Sequence, residues 1–396
     1  MAMIRRLPEG LVDASWLWLV LRVSLGLFAA VLFVKGGLPG PCHFELARDG
    51  WTTFPPLDDS GLSFPLVGVW QRWDACWYSK IALHGYEPGI SSTAFFPLLP
   101  ALMRAGSAFT GGDVALAGLL ANAIALIVAL TGLRQLVRAD VDADVADRTI
   151  LYVAIFPAAF FLFAPFTEAA FLACAVWAIH AARRRDWALA AVAGLLGALT
   201  RTQGLLLVLP IGWEAAAACL ERWRSWRTGE SRPQIGDAGP IVATMAPILA
   251  FAGYVWYTSA FVGQTPFDAQ ALWGNDLHLP WETIIAAWNW ALERPDVVEM
   301  VNLVALVLFG YLFFAGVWRL PASYSLYVLP QLALVSMRLQ PTPLTSTTRY
   351  MLVLFPAFVV LAMAGRSRRI HTGWVVLSLL FLGLLTSMFL QGDFVA

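Results

Sequence analysis

One aspartate, one glutamate and two arginines of this chain stand where ionised groups are costly. Asp74 sits among rings in QRWDACWYSKIALHGYEPG, residues 71–89, with Trp73, Trp77, Tyr78 and Tyr86 around it. On a helix, Asp74, Trp77 and Tyr78 fall at i, i+3 and i+4 and share one face. Rings pack on the apolar side of a sugar, and a carboxylate can take a proton from a hydroxyl. The same pattern also reads as an interfacial helix with an aromatic belt and an N-cap aspartate. Glu168 lies in FAPFTEAAF between two apolar runs. An ionisable group there points to function by default. Because Pro165 and Thr167 precede it, it also suits a helix start, where a carboxylate favours the dipole. Arg201 interrupts GALTRTQGLLL and Arg349 interrupts PLTSTTRYMLV. A guanidinium near a membrane surface can clamp a phosphate with two hydrogen bonds, or simply snorkel to the interface. Arg201 departs further from snorkelling, since apolar residues flank it on both sides. A last polar group, Asp268, Gln270 and Trp273 in FVGQTPFDAQALWG, reads as a ligand-holding set or as ordinary loop hydrogen bonding.

Several chemistries are missing from the sequence. The five histidines form no HExxH pair, and no GxGxxG, GxxxxGK[ST] or GxSxG run occurs. The cysteines, Cys42, Cys76, Cys174 and Cys219, have no metal-ligand spacing. Cys174 and Cys219 lie in apolar runs. Cys42 and Cys76 share one loop, where a disulfide could join them. Basic and acidic residues balance at 26 each, so no basic field points to nucleic acid.

The elements that must position these residues are membrane helices. The 396 residues are 59% hydrophobic and 13% charged, too few charges to cover a soluble core of this size. The composition predicts one all-α polytopic domain over 1–396. Apolar stretches place about eleven spans near 11–34, 113–133, 149–165, 168–182, 187–200, 204–219, 240–260, 298–318, 322–337, 349–364 and 373–390. The first follows Arg5 and Arg6, is too long for a signal-peptide core, and reads as a retained span holding Arg22. With the N-terminus inside, the inner connections receive Arg5, Arg6, Arg134, Arg138, Arg148, Arg183, Arg184, Arg185, Arg222, Arg224, Arg227, Arg232, Arg319, Arg366, Arg368 and Arg369. That is sixteen of the 26 basic residues, as the positive-inside rule expects. Two folded loops, 35–112 and 261–297, then face outward, and segment 94–110, broken by Pro97 and Pro100, reads as interfacial or re-entrant. No inverted repeat is visible.

RWDACWYSKIALHGYEP followed by AFFPLLPALMR resembles the signature of the GPI mannosyltransferase 2 family in its prokaryotic form, within the GT-C glycosyltransferases. PFTEAAF (165–171), LTRTQGLLL (199–207), FVGQTPFDAQALWG (261–274) and TTRYMLVLFPAF (347–358) continue the resemblance in order along most of the chain. It implies a GT-C transmembrane bundle with a catalytic aspartate in its first outer loop, here Asp74, and a polyprenyl-phosphate mannose donor. A β-linked mannosyl phosphate that becomes an α-mannoside inverts at the anomeric carbon, so a single base suffices, here Asp74. Arg349, then Arg201, would hold the donor phosphate. Glu168 would position the acceptor or hold an arginine. Trp73, Trp77, Tyr78, Tyr86, Gln270 and Trp273 would contact acceptor or sugar. No cofactor is required, and a divalent metal is neither demanded nor excluded. The partners implied are a lipid-linked donor, the lipid membrane and a glycolipid or glycan acceptor. Arginine outnumbers lysine 24 to 2, as in GC-rich bacterial coding, which suggests a bacterial plasma membrane, where a GPI precursor is not to be assumed as the acceptor. The alternatives are a transporter or flippase of a lipid-linked sugar, and a GT-C enzyme using another sugar.

Overall fold

A computed structural model describes residues 10–40, 42, 61, 63–228, 238–272, 278–293, 296–337, 339 and 342–395. Among the described residues every regular element is helical. The chain enters through α1 (Leu11–Gly36), apolar on all faces, with Trp16, Leu27 and Val31 exposed. A loop carrying α2 (Asp74–His84) and α3 (Leu98–Ser107) leads to α4 (Val114–Asp140) and α5 (Ala143–Ala154). The chain continues through α6 (Glu168–Arg183) and α7 (Trp187–Ala198). A 3-10 turn, Thr202–Leu207, runs into α8 (Val208–Arg227), and α9 (Gly239–Tyr257) ends in one π turn. The short helices α10 (Pro266–Ala271) and α11 (Pro280–Glu293) precede α12 (Val297–Gly316) and α13 (Ala322–Ser336). The last elements are α14 (Thr347–Met351), α15 (Phe355–Ala364) and α16 (Arg368–Gln391).

Aspartates start several of these helices by accepting orphan backbone N–H groups. Asp113 accepts from Leu116 N at 2.9 Å, Asp142 from Val145 N at 2.8 Å and Asp186 from Leu189 N at 3.1 Å. Each expected apolar stretch falls on a helix or on two short ones. Among the described residues six helices, or helices with their adjoining turn, are long and apolar enough to cross a membrane: Leu11–Gly36, Val114–Asp140, Thr202–Arg227, Gly239–Val262, Val297–Gly316 and Arg368–Gln391. Length and composition therefore support fewer than eleven crossings among the described residues. Of the remaining helices, α6 is buried along nearly its whole length, whereas α7 and α11 expose apolar side chains such as Val192 and Trp288.

Polarity is inverted relative to a water-soluble protein. Leu249, Val304, Phe314 and Leu380 are exposed, while Arg72, Glu168, Arg201 and Arg349 are buried. An apolar exterior of this extent marks a membrane-facing surface. The chain is thus an all-helical, multi-pass membrane protein. Segment 94–110 forms a turn and α3, which packs Leu99, Pro100 and Met103 inward and exposes Leu102.

The helix ends sort into two groups. At one end Arg134 meets Asp147 at 2.6 Å and Asp13 at 3.6 Å. There Arg183 meets Asp140 at 2.6 Å, and Tyr324 donates to Asp140 at 2.5 Å. Arg366 pairs with Asp142 and Arg185 with Glu221. These contacts join the start of α1 to the α4–α5 turn, the end of α6, and α8, α13 and the α15–α16 connection. At the other end Arg72 donates to Pro39 O at 2.6 Å, to Leu390 O at 3.0 Å and to Gly40 O. That ties the exit of α1 to the end of α16. Arg22, partway along α1, donates to Leu66 O at 2.6 Å and lies 4.9 Å from the centroid of the Trp70 ring.

Candidate active site

Asp74 opens α2, and the residues around it aim it. Trp73 has φ +51, a left-handed conformation that is costly for a bulky side chain and has to be held by its surroundings. Its indole N–H donates to Asp393 O at 3.3 Å, and its ring meets Phe394 edge-on at 5.0 Å. A disulfide joins Cys76, two residues beyond Asp74, to Cys42, with Cα atoms 5.8 Å apart. Ser79 donates to Gln71 Oε1 at 2.7 Å, bracing α2 against the residues before it.

Glu168, the first residue of α6, is fully buried. The chain before it is held by Asn122 of α4, whose amide donates to Phe166 O at 2.9 Å and to Ala164 O. Arg201 leads into the Thr202–Leu207 turn, which lies flat on the end of α7. A Cβ at Gly204 would sit 2.0 Å from Gly197 O, so only glycine permits this approach. Arg349 lies on α14, after a turn in which Leu344 and Ser346 take φ +62 and +64. Asn302 of α12 anchors the start of α14 by accepting from Thr348 N at 2.9 Å and from its hydroxyl at 2.5 Å.

These four elements bring the charges into one line. Arg349 Nη1 donates to Asp74 Oδ2 at 2.5 Å, and its Nε donates to Glu168 Oε1 at 2.5 Å. Arg201 Nη1 donates to the same Glu168 oxygen at 3.0 Å, and its Nε to Gln203 Oε1 at 3.0 Å. The Asp74 side chain is 26% exposed, against 8% for Arg349, 0% for Glu168 and 9% for Arg201. Asp74 is therefore the open end of a buried relay. Aromatic faces wall the cations: Arg349 lies 4.7 Å from the Phe166 centroid and 5.2 Å from that of Phe161. Arg201 lies 4.9 Å from the Tyr350 centroid. Such faces attract a guanidinium without neutralising it.

The remaining candidates divide. Trp77 stacks on Phe95 at 5.1 Å, and Tyr78 meets the same ring edge-on at 5.4 Å. Both are buried, so their rings face the protein rather than being offered to a sugar; the cause is the apolar cluster that seats α2 on α3. The Tyr78 hydroxyl is hydrogen-bonded to Thr167, and burial, reinforced by Asp74, pushes the phenol above its ordinary range. Tyr86 donates to Phe95 O at 2.8 Å. Glu168 is enclosed and holds both arginines, so it is not an open acceptor contact. Gln270 is half-buried on α10, which packs against the Ser91–Ala94 turn. Trp273 lies outside the described residues. Asp268 forms a capping box with Thr265, the ordinary loop role. Sequence reasoning missed Asn122, Gln203 and Asn302. Asn122 and Asn302 were legible as lone amides in apolar helices. Among the described residues no group of three or more His, Cys, Asp or Glu gathers as a metal site.

No family model and no curated protein matches the chain. Among solved structures, the chain is similar to the Archaeoglobus fulgidus oligosaccharyltransferase, solved in complex with Zn and sulfate, at 13% identity and a TM-score of 0.45. The match covers 97% of this chain and 53% of that one, so this chain spans about half its length.

Proposed function

We propose that the chain is an inverting membrane glycosyltransferase of the GT-C kind that moves mannose from a polyprenyl-phosphate donor to a glycolipid or glycan acceptor. The observation that carries this reading is the relay Asp74–Arg349–Glu168–Arg201, buried at three members and open at the aspartate. The donor sugar and the GT-C assignment rest on the motif resemblance.

The chemistry follows from that order. The acceptor oxygen forms a bond to the anomeric carbon from the side opposite the phosphate, and the acceptor proton passes to Asp74. The bond between the anomeric carbon and the phosphate oxygen breaks, and its electron pair leaves with the polyprenyl phosphate. The leaving group gains negative charge, and Arg349, backed by Arg201, stabilises it in surroundings that exclude water. Glu168 keeps the two guanidiniums close together against their mutual repulsion. The charge work is assigned to arginines, so chelation with EDTA is expected to leave turnover unchanged.

The disulfide near Asp74 supports an extracytoplasmic site, since such bonds persist in oxidising compartments. The arginine-rich connections meet at the opposite end, as a cytoplasmic face requires. The test is transfer from radiolabelled polyprenyl-phosphate mannose by the full chain in proteoliposomes, repeated across a panel of donor sugars. Formation of a mannoside supports the reading, and a product with another sugar corrects the donor alone. Label that crosses the bilayer with no new glycosidic bond overturns the reading in favour of a flippase.

A further inference from the structure

The base and the phosphate ligand of this site hold each other. Arg349 places Nη1 2.5 Å from Asp74 Oδ2, so the carboxylate that must accept a proton is engaged by a cation. The same guanidinium is engaged through Nε by Glu168, which is fully buried and has no second route to water. The two contacts differ in kind. The Glu168 contact is enclosed, shared with Arg201, and walled by Phe161 and Phe166. The Asp74 contact is the exposed one, with 26% of that side chain open.

Resting on the reading above, we propose that the Asp74–Arg349 ion pair is a latch that the donor phosphate opens. A phosphate arriving at the open side competes with Asp74 for Arg349, and a guanidinium binds phosphate at least as well as carboxylate. Arg349 stays anchored through Glu168 while it exchanges Asp74 for the phosphate. Asp74, released, becomes free to accept the acceptor proton. The base is thus armed only when a donor is in place, which imposes donor-before-acceptor order. Glu168 is a positioning residue here: it acts on the donor through Arg349.

The test measures binding of a short-chain polyprenyl phosphate to the full chain in nanodiscs, with the matching polyprenol as the phosphate-free control. Asp74→Asn removes the competitor, so the affinity should rise about tenfold or more, as for release of a hydrogen bond to a charged group. Glu168→Gln removes the anchor, so the affinity should fall. A simple field effect shifts both variants the same way, because each removes one negative charge beside Arg349. Opposite signs support the latch, whereas equal signs, or an Asp74→Asn affinity equal to wild type, overturn it. If Glu168→Gln does not fold, Glu87→Gln supplies the comparison by neutralising another carboxylate of the same loop. The gain in Asp74→Asn must then exceed that of Glu87→Gln at least tenfold, or the latch fails. Mannose transfer by wild type together with unchanged Asp74→Asn affinity overturns the latch alone. No phosphate-dependent binding in either wild type or Asp74→Asn overturns the glycosyltransferase reading and the latch with it.

Discussion

At the arginine-rich end of the bundle, Arg185 meets Glu221 with 58% of each side chain exposed, and Arg366 meets Asp142 with 55% and 38% exposed. At the opposite end, Arg349 and Arg201 share a glutamate that is wholly enclosed. The two ends use the same residue types under different physics. Solvent screens the first set, and such pairs contribute about 0–1 kcal/mol. The second set has given up hydration, which costs several kcal/mol per ion before attraction and hydrogen bonds offset it. Stability alone gives little reason to keep a buried, doubly shared carboxylate. A site that must concentrate positive charge out of water does.

The comparison can be broken from the strong end downward. Asp74→Asn should lower sugar transfer about 10³-fold while the protein stays folded, as expected for loss of a general base. A fall of threefold or less, read with radiolabelled donor, would remove Asp74 from that role. Arg349→Gln should lower turnover about 10²-fold through lost stabilisation of the leaving phosphate. Arg349→Lys should recover only part of that, because one ammonium is not a planar fork that can serve Asp74 and Glu168 together. Full activity in the lysine variant would argue that the fork geometry is irrelevant.

Smaller effects separate the two ends further. Arg201→Gln should slow transfer about tenfold and destabilise the fold by about 3 kcal/mol, because it leaves Glu168 half-compensated. Thermal unfolding in detergent measures the second quantity. Replacing Cys42 and Cys76 by serine together should cost about 2–4 kcal/mol of stability with a lesser change in turnover. Arg185→Ala should shift stability by about 0.5 kcal/mol or less and leave turnover at wild type. An equal loss at Arg185 and Arg201 would erase the distinction between the ends.

Much of the site was legible because a membrane chain has few charges to explain. Glu168, Arg201 and Arg349 each interrupt or border an apolar run, so their cost showed before any fold was known. Asp113 and Asp186, which begin α4 and α7, stand just ahead of apolar stretches, whereas Asp142 precedes the charged run ADVADR that opens α5. The aromatic residues were the weak point. Trp77 and Tyr78 share a helix face with Asp74, but periodicity does not say whether that face meets a ligand or the protein. Phe95, about twenty residues further on, takes both rings.

The sequence by itself determined the solvent class, the positions of the apolar helices and the short roster of costly charges. Those follow from local hydropathy and from the expense of burying an ion, neither of which needs a partner. Only the tertiary structure decided that Asp74, Glu168, Arg201 and Arg349 form one line with Arg349 at its centre. Arg349 reaches Asp74 across 275 positions of sequence and Glu168 across 181. Contacts of that span depend on how α2, α6, α14 and the Thr202–Leu207 turn pack together. Those arrangements are held by groups such as Asn122 and Asn302, whose partners lie 42 to 46 positions away and are not given by any local pattern.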